Sequence, residues 1–173
     1  MKIGVLSDTH DFLDPVILKL FHGVDHILHA GDIGNPLIEL ELKFIAPVTV
    51  VLGNTDLGLT FKETEVLTLA DKKFLIHHIV NPRALSEKVE ARIRRDRPDA
   101  VIFGHTHNWS VTRHEKDIHL INLPPTSYVF LNGRPSGWVR CALAADGMEL
   151  ELRCLDTKHP EHGKTQTLKW RMG

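Results

Sequence analysis

Three short apolar runs, each stopping at residues able to bind a metal, constrain this chain more than any other feature. Residues 2–7 and 47–52 are aliphatic and β-branched almost throughout, and 25–29 centre on Ile27-Leu28, which reads as three strands, the first buried on both faces. They run into Asp8-Thr9-His10, Gly31-Asp32 and Gly53-Asn54-Thr55-Asp56. Between them, residues 15–22 and 36–43 read as short helices, the first opened by Asp14 as cap and Pro15 in its first turn. Strand and helix in alternation imply an α/β sheet, and such sheets bind ligands at the carboxyl ends of their strands. A fourth run, residues 98–102, leads into Phe103-Gly104-His105-Thr106-His107. Two histidines one residue apart just past a strand end are arranged like metal ligands, and Gly104 permits the chain to turn here.

Residues 63–70 and 72–77 read as an antiparallel pair around Ala70-Asp71-Lys72-Lys73, and the second member ends in His77-His78. From Pro82 to Arg97, the spacing of Leu85, Val89 and Ile93 predicts an amphipathic helix. Its basic residues (Lys88, Arg92, Arg94, Arg95, Arg97) read as a solvated face, because no aromatics interleave with them. Residues 110–113, 118–123, 138–144 and 148–155 read as antiparallel strands, with Asp146-Gly147 as the last hairpin turn. Residues 1–155 are expected to form one domain, and 156–173 a polar tail with His159 and His162 in solvent.

A net charge of −1 gives no electrostatic footprint for nucleic acid. No apolar run is long enough for a membrane span and no leader is evident, so a cytoplasmic protein is expected. Cys141 and Cys154 lack metal-ligand spacing and read as reduced structural thiols. Association into a homo-oligomer stays open.

Together the strand ends deliver Asp8, His10, Asp32, Asn54, His77 or His78, His105 and His107. Oxygen and imidazole donors in this number, with no thiolate, exceed the needs of one tetrahedral zinc. They suit two divalent cations with a shared carboxylate, manganese first, with iron, zinc or nickel as alternatives.

Ser7-Asp8-Thr9-His10, His29-Ala30-Gly31-Asp32, Gly53-Asn54-Thr55-Asp56 and Gly104-His105-Thr106-His107, in that order, resemble the calcineurin-like metallophosphoesterase superfamily. The details are similar to its small single-domain phosphodiesterase branch of bacteria and archaea. The resemblance implies a four-layer α/β/β/α sandwich of two mixed sheets with flanking helices. It implies one metal held by Asp8, His10, Asp32 and His107. A second would be held by Asp32, Asn54, the His77/His78 position and His105, with Asp32 bridging. The implied activity is hydrolysis of a small phosphate ester, first of all a phosphodiester, by a metal-bridging hydroxide, with Asp8, Asp32, Asn54 and His105 at the reacting centre. Alternatives are a phosphomonoesterase or nucleotide phosphatase of the same fold, and a non-catalytic scaffold similar to the retromer subunit that shares it.

Three departures from the family pattern bear on these expectations. His77-His78-Ile79 stands where a His-Gly is usual: an ungapped placement favours His78, whereas His78 in the glycine's place favours His77. Asn122-Leu123-Pro124-Pro125-Thr126-Ser127 replaces Asn-Pro-Gly-Ser. Thr55 stands where relatives that cleave poor leaving groups carry a histidine, and a threonine cannot act as general acid near neutral pH. Good leaving groups, such as aryl esters, are therefore expected. Asp56 reads as an orienting residue or a turn residue, and Trp109 as packed beneath the ligand loop or lining the pocket.

Overall fold

Each apolar run folds as a strand, and their alternation decides which layer each side chain joins. The computed structural model describes residues 1–115, 118–126 and 136–170. Its strands are β1 (Lys2–Leu6), β2 (His26–His29), β3 (Val48–Val50), β4 (Thr64–Leu69), β5 (Lys72–His77) and β6 (Ala100–Phe103). They continue with β7 (Ser110–His114), β8 (Ile118–Asn122), β9 (Gly137–Leu143), β10 (Gly147–Cys154) and β11 (Thr165–Lys169). Three helices, α1 (Pro15–Leu20), α2 (Leu37–Lys43) and α3 (Glu87–Asp96), complete the described elements.

The strands form two mixed sheets, ordered β11-β10-β9-β1-β2-β3 and β4-β5-β6-β8-β7. Within the first, β1, β2 and β3 run parallel; within the second, β5, β6 and β8 do. Ile3, Val5 and Leu28 of one sheet meet Phe74, Ile76, Ile102 and Ile121 of the other in a shared core. The next residues along each strand face outward. Leu6 and Ile27 pack under α1 and α2 with Ile17, Phe21 and Leu42, whereas Leu75, Val101 and Phe103 pack under α3 with Val89 and Ile93. Strands covered on both faces read as unbroken apolar runs for this reason. The result is the expected four-layer α/β/β/α sandwich.

The cap at α1 is as expected: Asp14 Oδ1 accepts the Val16 N–H at 2.8 Å and Pro15 is the first helical residue. The turn between β4 and β5 has Ala70 and Asp71 at positive φ, the two-residue arrangement that matches strand twist. The helix expected from Pro82 begins at Glu87 instead. Ser86 caps it by accepting the Val89 N–H, and residues 81–84 form a separate turn in which Asn81 accepts from Arg83 and Ala84.

The expectation of a polar tail over 156–173 gives way at β11, which pairs with β10 from Gly147↔Lys169 to Glu151↔Thr165. Leu168 and Trp170 are buried beneath it. His159 and His162 are half-buried, and His162 Nδ1 lies 3.1 Å from both the N and O of Cys154. Cys141 lies opposite Leu150, so four residue steps, about 13 Å, separate it from the Cys154 level along the ladder. That excludes a disulfide. Both thiols are free, and burial pushes Cys141 up to about 12 and Cys154 to about 11.

Candidate metal centre

The two parallel triples bring their carboxyl ends to one edge, where loops from both sheets interlock. The Asp8 N–H donates to Gly31 O at 3.0 Å, and the His10 N–H donates to Asp32 O at 3.0 Å. The loops after β1 and β2 are thereby laced together. Within the second sheet, the Gly104 N–H donates to His78 O at 3.1 Å, and across the sandwich the His105 N–H points at the Asp8 carboxylate, 3.2 and 3.3 Å from its oxygens.

This interlocking gathers two groups: Asp8, His10 and His107; and Asp32, His78 and His105. In each, the three ligand atoms lie within 4.8 Å of one another. His107 Nε2 is 3.2 Å from Asp8 Oδ1, and His78 Nε2 is 3.2 Å from Asp32 Oδ2. His10 Nε2 stands 3.9 Å from both Asp8 Oδ1 and Asp32 Oδ2, so the groups are contiguous. Asp8, Asp32 and His78 are buried, His10 and His107 half-buried and His105 exposed. Asn54 is exposed and shares with His78 a cleft of about 400 Å³. Of the two neighbouring histidines, His77 turns away: its Nδ1 lies 2.8 Å from Thr64 Oγ1 and 3.0 Å from Glu63 O.

The donor chemistry fits divalent cations. His78 Nδ1 lies 2.7 Å from the Ala30 carbonyl oxygen, which can only accept, so the ring proton sits on Nδ1 and Nε2 faces the carboxylates. That buried Nε2 makes no hydrogen bond of regular geometry. Burial opposes its protonation, but the Asp32 and Asp8 carboxylates outweigh burial and raise the His78 pKa. Burial likewise would raise Asp32, yet the His78 imidazole and the Thr55 N–H, 2.8 Å from Oδ1, hold it below the usual carboxylate range. A cation among these groups competes with protonation of His78. Two buried carboxylates ringed by imidazoles, without a thiolate, are what manganese-, iron- or zinc-type ions accept.

The backbone is strained at this edge. Asp8, His10, Asp32, His105 and His107 have φ between +45° and +66°. Left-handed conformation costs about 1–2 kcal/mol for most non-glycine residues, and such outliers cluster at functional sites. Close approach adds a second constraint. A Cβ on Gly104 would lie 2.0 Å from Ser7 Oγ and 2.4 Å from Asp8 Oδ2; one on Gly53 would lie 2.0 Å from Asp32 Oδ1.

Several supporting residues brace the site, among them Asp56, which the sequence left as an orienting residue or a turn residue. Asp56 accepts the Gly34 and Gly53 N–H groups, each at 2.8 Å, and so braces the loops that carry Asp32 and Asn54. The side chain of Asn122 donates to Thr106 Oγ1, pinning the turn between His105 and His107. Thr126 N–H donates to Ser7 O at 2.9 Å; Ser127 lies outside the described residues. His29 is fully buried: its Nδ1 accepts the Gly31 N–H at 3.3 Å, so its Nε2–H donates to Thr9 Oγ1 at 3.0 Å, which donates in turn to Ile33 O. Burial lowers its pKa to about 4. The deep burial of this chain between two ligand loops carried no pattern in the sequence. Trp109 is half-buried and packs against the core between the sheets.

A two-sheet sandwich with paired carboxylate–imidazole groups at its edge defines a metallophosphoesterase-like protein. The profile of the calcineurin-like phosphoesterase superfamily domain matches residues 1–132, and the chain belongs to that superfamily. A probable metallophosphoesterase of Methanothermobacter thermautotrophicus is 33% identical over 168 residues, spanning 92% of this chain and 95% of the relative. A phosphodiesterase of Methanocaldococcus jannaschii is 30% identical, spanning 79% of this chain and 90% of its own. Among solved structures, the Vps29 of Entamoeba histolytica, crystallised with zinc, superposes with a TM-score of 0.76 at 20% identity, over 99% of this chain and 100% of that one. That likeness is one of fold. Among the described residues no helix is long and apolar enough to cross a membrane.

Proposed function

We propose that this chain is a cytoplasmic metal-dependent phosphodiesterase acting on small phosphodiesters with good leaving groups. The observation that carries the reading is the convergence of Asp8, His10 and His107 beside Asp32, His78 and His105, with a buried His78 Nε2 directed at Asp32. Asp8, His10 and His107 would hold one divalent cation, manganese first. His78, His105 and Asn54 would hold a second, and Asp32 would serve both. Such ions supply positive charge against the phosphate oxygens and lower the pKa of bound water. Neutral imidazoles leave that positive charge largely uncancelled, whereas Asp8 and Asp32 anchor it in a buried edge.

The leaving group receives no proton from the position after Asn54. Thr55 is exposed there, and its side chain does not ionise near neutral pH. Its backbone instead positions Asp32 through the 2.8 Å hydrogen bond to Oδ1. The reaction that suits this machinery adds water to a diester and releases an alcohol that departs without acid assistance, leaving a monoester.

Metal analysis of the purified protein, joined to a manganese-dependent assay on bis(p-nitrophenyl) phosphate, tests the reading. About two metals per chain are expected, with turnover lost in Asp32→Ala and faster for the aryl diester than for an alkyl monoester. A metal-free, inert chain that binds a protein partner tightly would establish the scaffold reading instead.

A further inference from the structure

The cleft shared by Asn54 and His78 is also lined by two exposed, large aliphatic side chains. Leu57 is 90% exposed and Ile79 is 46% exposed, and Leu52 and Leu59 line the same space. Leu57 follows the loop that bears Asn54, in a tight turn closed by its N–H donating to Thr55 O at 2.9 Å. Ile79 directly follows His78. Both aliphatic groups are therefore fixed to the backbone segments that carry two of the proposed metal donors.

We infer that this cleft is the subsite for one ester substituent of the substrate, and that it selects a neutral, apolar, ring-sized group. The inference rests on the phosphodiesterase reading above and adds the substrate class. A volume of about 400 Å³ lies near the lower end for small-molecule sites, enough for one aryl or base-sized group and too small for an oligonucleotide or a polypeptide segment. Glu63 also lines the cleft, so a second phosphate on the substituent is disfavoured. Apolar walls left in water beside a charged centre gain most from a substituent that removes them from solvent, and such burial strengthens binding by on the order of tenfold for part of a ring.

Calorimetry with phenylphosphonate and methylphosphonate on the manganese-loaded full chain tests the subsite without requiring turnover. The two probes share a charged head and differ only in the group that enters the cleft. Phenylphosphonate should bind about tenfold more tightly to the wild type. Leu57→Ser should abolish that preference with methylphosphonate affinity retained, and Leu57→Met should keep it. Equal affinities in the wild type, or a preference unchanged in Leu57→Ser, overturn the subsite while leaving the metal centre standing. Failure of both phosphonates to bind a metal-loaded chain overturns the subsite and the phosphodiesterase reading together.

Discussion

His78 Nε2 stands 3.2 Å from Asp32 Oδ2 because the other nitrogen of the same ring is committed to the Ala30 carbonyl, 2.7 Å away. One backbone acceptor in the first sheet thus aims a side chain of the second sheet at a carboxylate of the first. The adjacent His77 shares the strand face of Leu75 and is bound to Thr64 and Glu63. Replacing each by asparagine separates the two. His78→Asn should lose one metal per chain on dialysis and weaken manganese affinity by on the order of a hundredfold. His77→Asn should retain both metals. Metal content by mass spectrometry checks this, and metal loss confined to His77→Asn would reverse the assignment.

Gly104 is where the strand after α3 passes closest to Asp8. A methyl group there would sit 2.0 Å from Ser7 Oγ and 2.4 Å from Asp8 Oδ2, and both belong to a buried loop with little room to retreat. Overpacking of this kind costs about 1–3 kcal/mol, and the atom displaced here is a proposed metal ligand. Gly104→Ala should therefore fold with a lowered urea midpoint and bind manganese at least about tenfold more weakly. Unchanged metal affinity would show that Asp8 does not need this close approach.

The candidate donors were legible because each lies one to four residues beyond a strand, where an α/β sheet places function. The choice between His77 and His78 was not legible in the same way. It depends on strand parity: His78 shares the phase of Phe74 and Ile76, which face the other sheet. A strand apolar on both faces does not declare which phase looks inward. The start of α3 misled for a related reason. Leu85 packs with Val89 and Ile93, which imitates helical spacing, although the Asn81 turn precedes the Ser86 cap. β11 offers only Leu168 on its buried side, with Trp170 just beyond its end, too little to outweigh polar neighbours along an edge strand.

The buried His29 chain predicts an acid sensitivity. His29 is fully buried and neutral, with a pKa near 4 against 6.5 for an exposed imidazole. Below 6.5 the unfolded chain binds a proton that the folded chain refuses, so stability must fall with pH through the window from 6.5 to about 4. At about 1.4 kcal/mol per pH unit, the loss attributable to His29 amounts to about 3 kcal/mol across the window. Urea unfolding of the metal-free protein at pH 7 and pH 5, compared with His29→Gln, isolates this contribution. The variant should be less stable at pH 7 but show a shallower decline toward pH 5. Parallel pH profiles for the two proteins would remove His29 from the account.

Trp170, beyond the last strand, should carry stability without touching the metal centre. Its indole N–H donates to Ala144 O at 2.9 Å, its ring meets Phe74 edge-on at 6.3 Å, and the Lys72 ammonium lies 5.1 Å from its centroid. Lys72 and Phe74 open β5, whereas His78 follows its end, so Trp170 sits at the edge opposite the ligands. Removing a buried indole costs about 3–5 kcal/mol, which for a domain of this size is a large share of the total. Trp170→Phe should retain the ring contact and lose the hydrogen bond to Ala144, for about 1 kcal/mol. Denaturant titration should therefore rank wild type, Trp170→Phe and Trp170→Ala in falling order. Manganese affinity, measured on the folded fraction, should be the same in all three. A truncation before β11 should resemble or exceed Trp170→Ala, because it also strips the partner from β10 and exposes Leu168. If that truncation matched the wild type in stability, residues 165–170 would be an appendage, and the domain would end with β10.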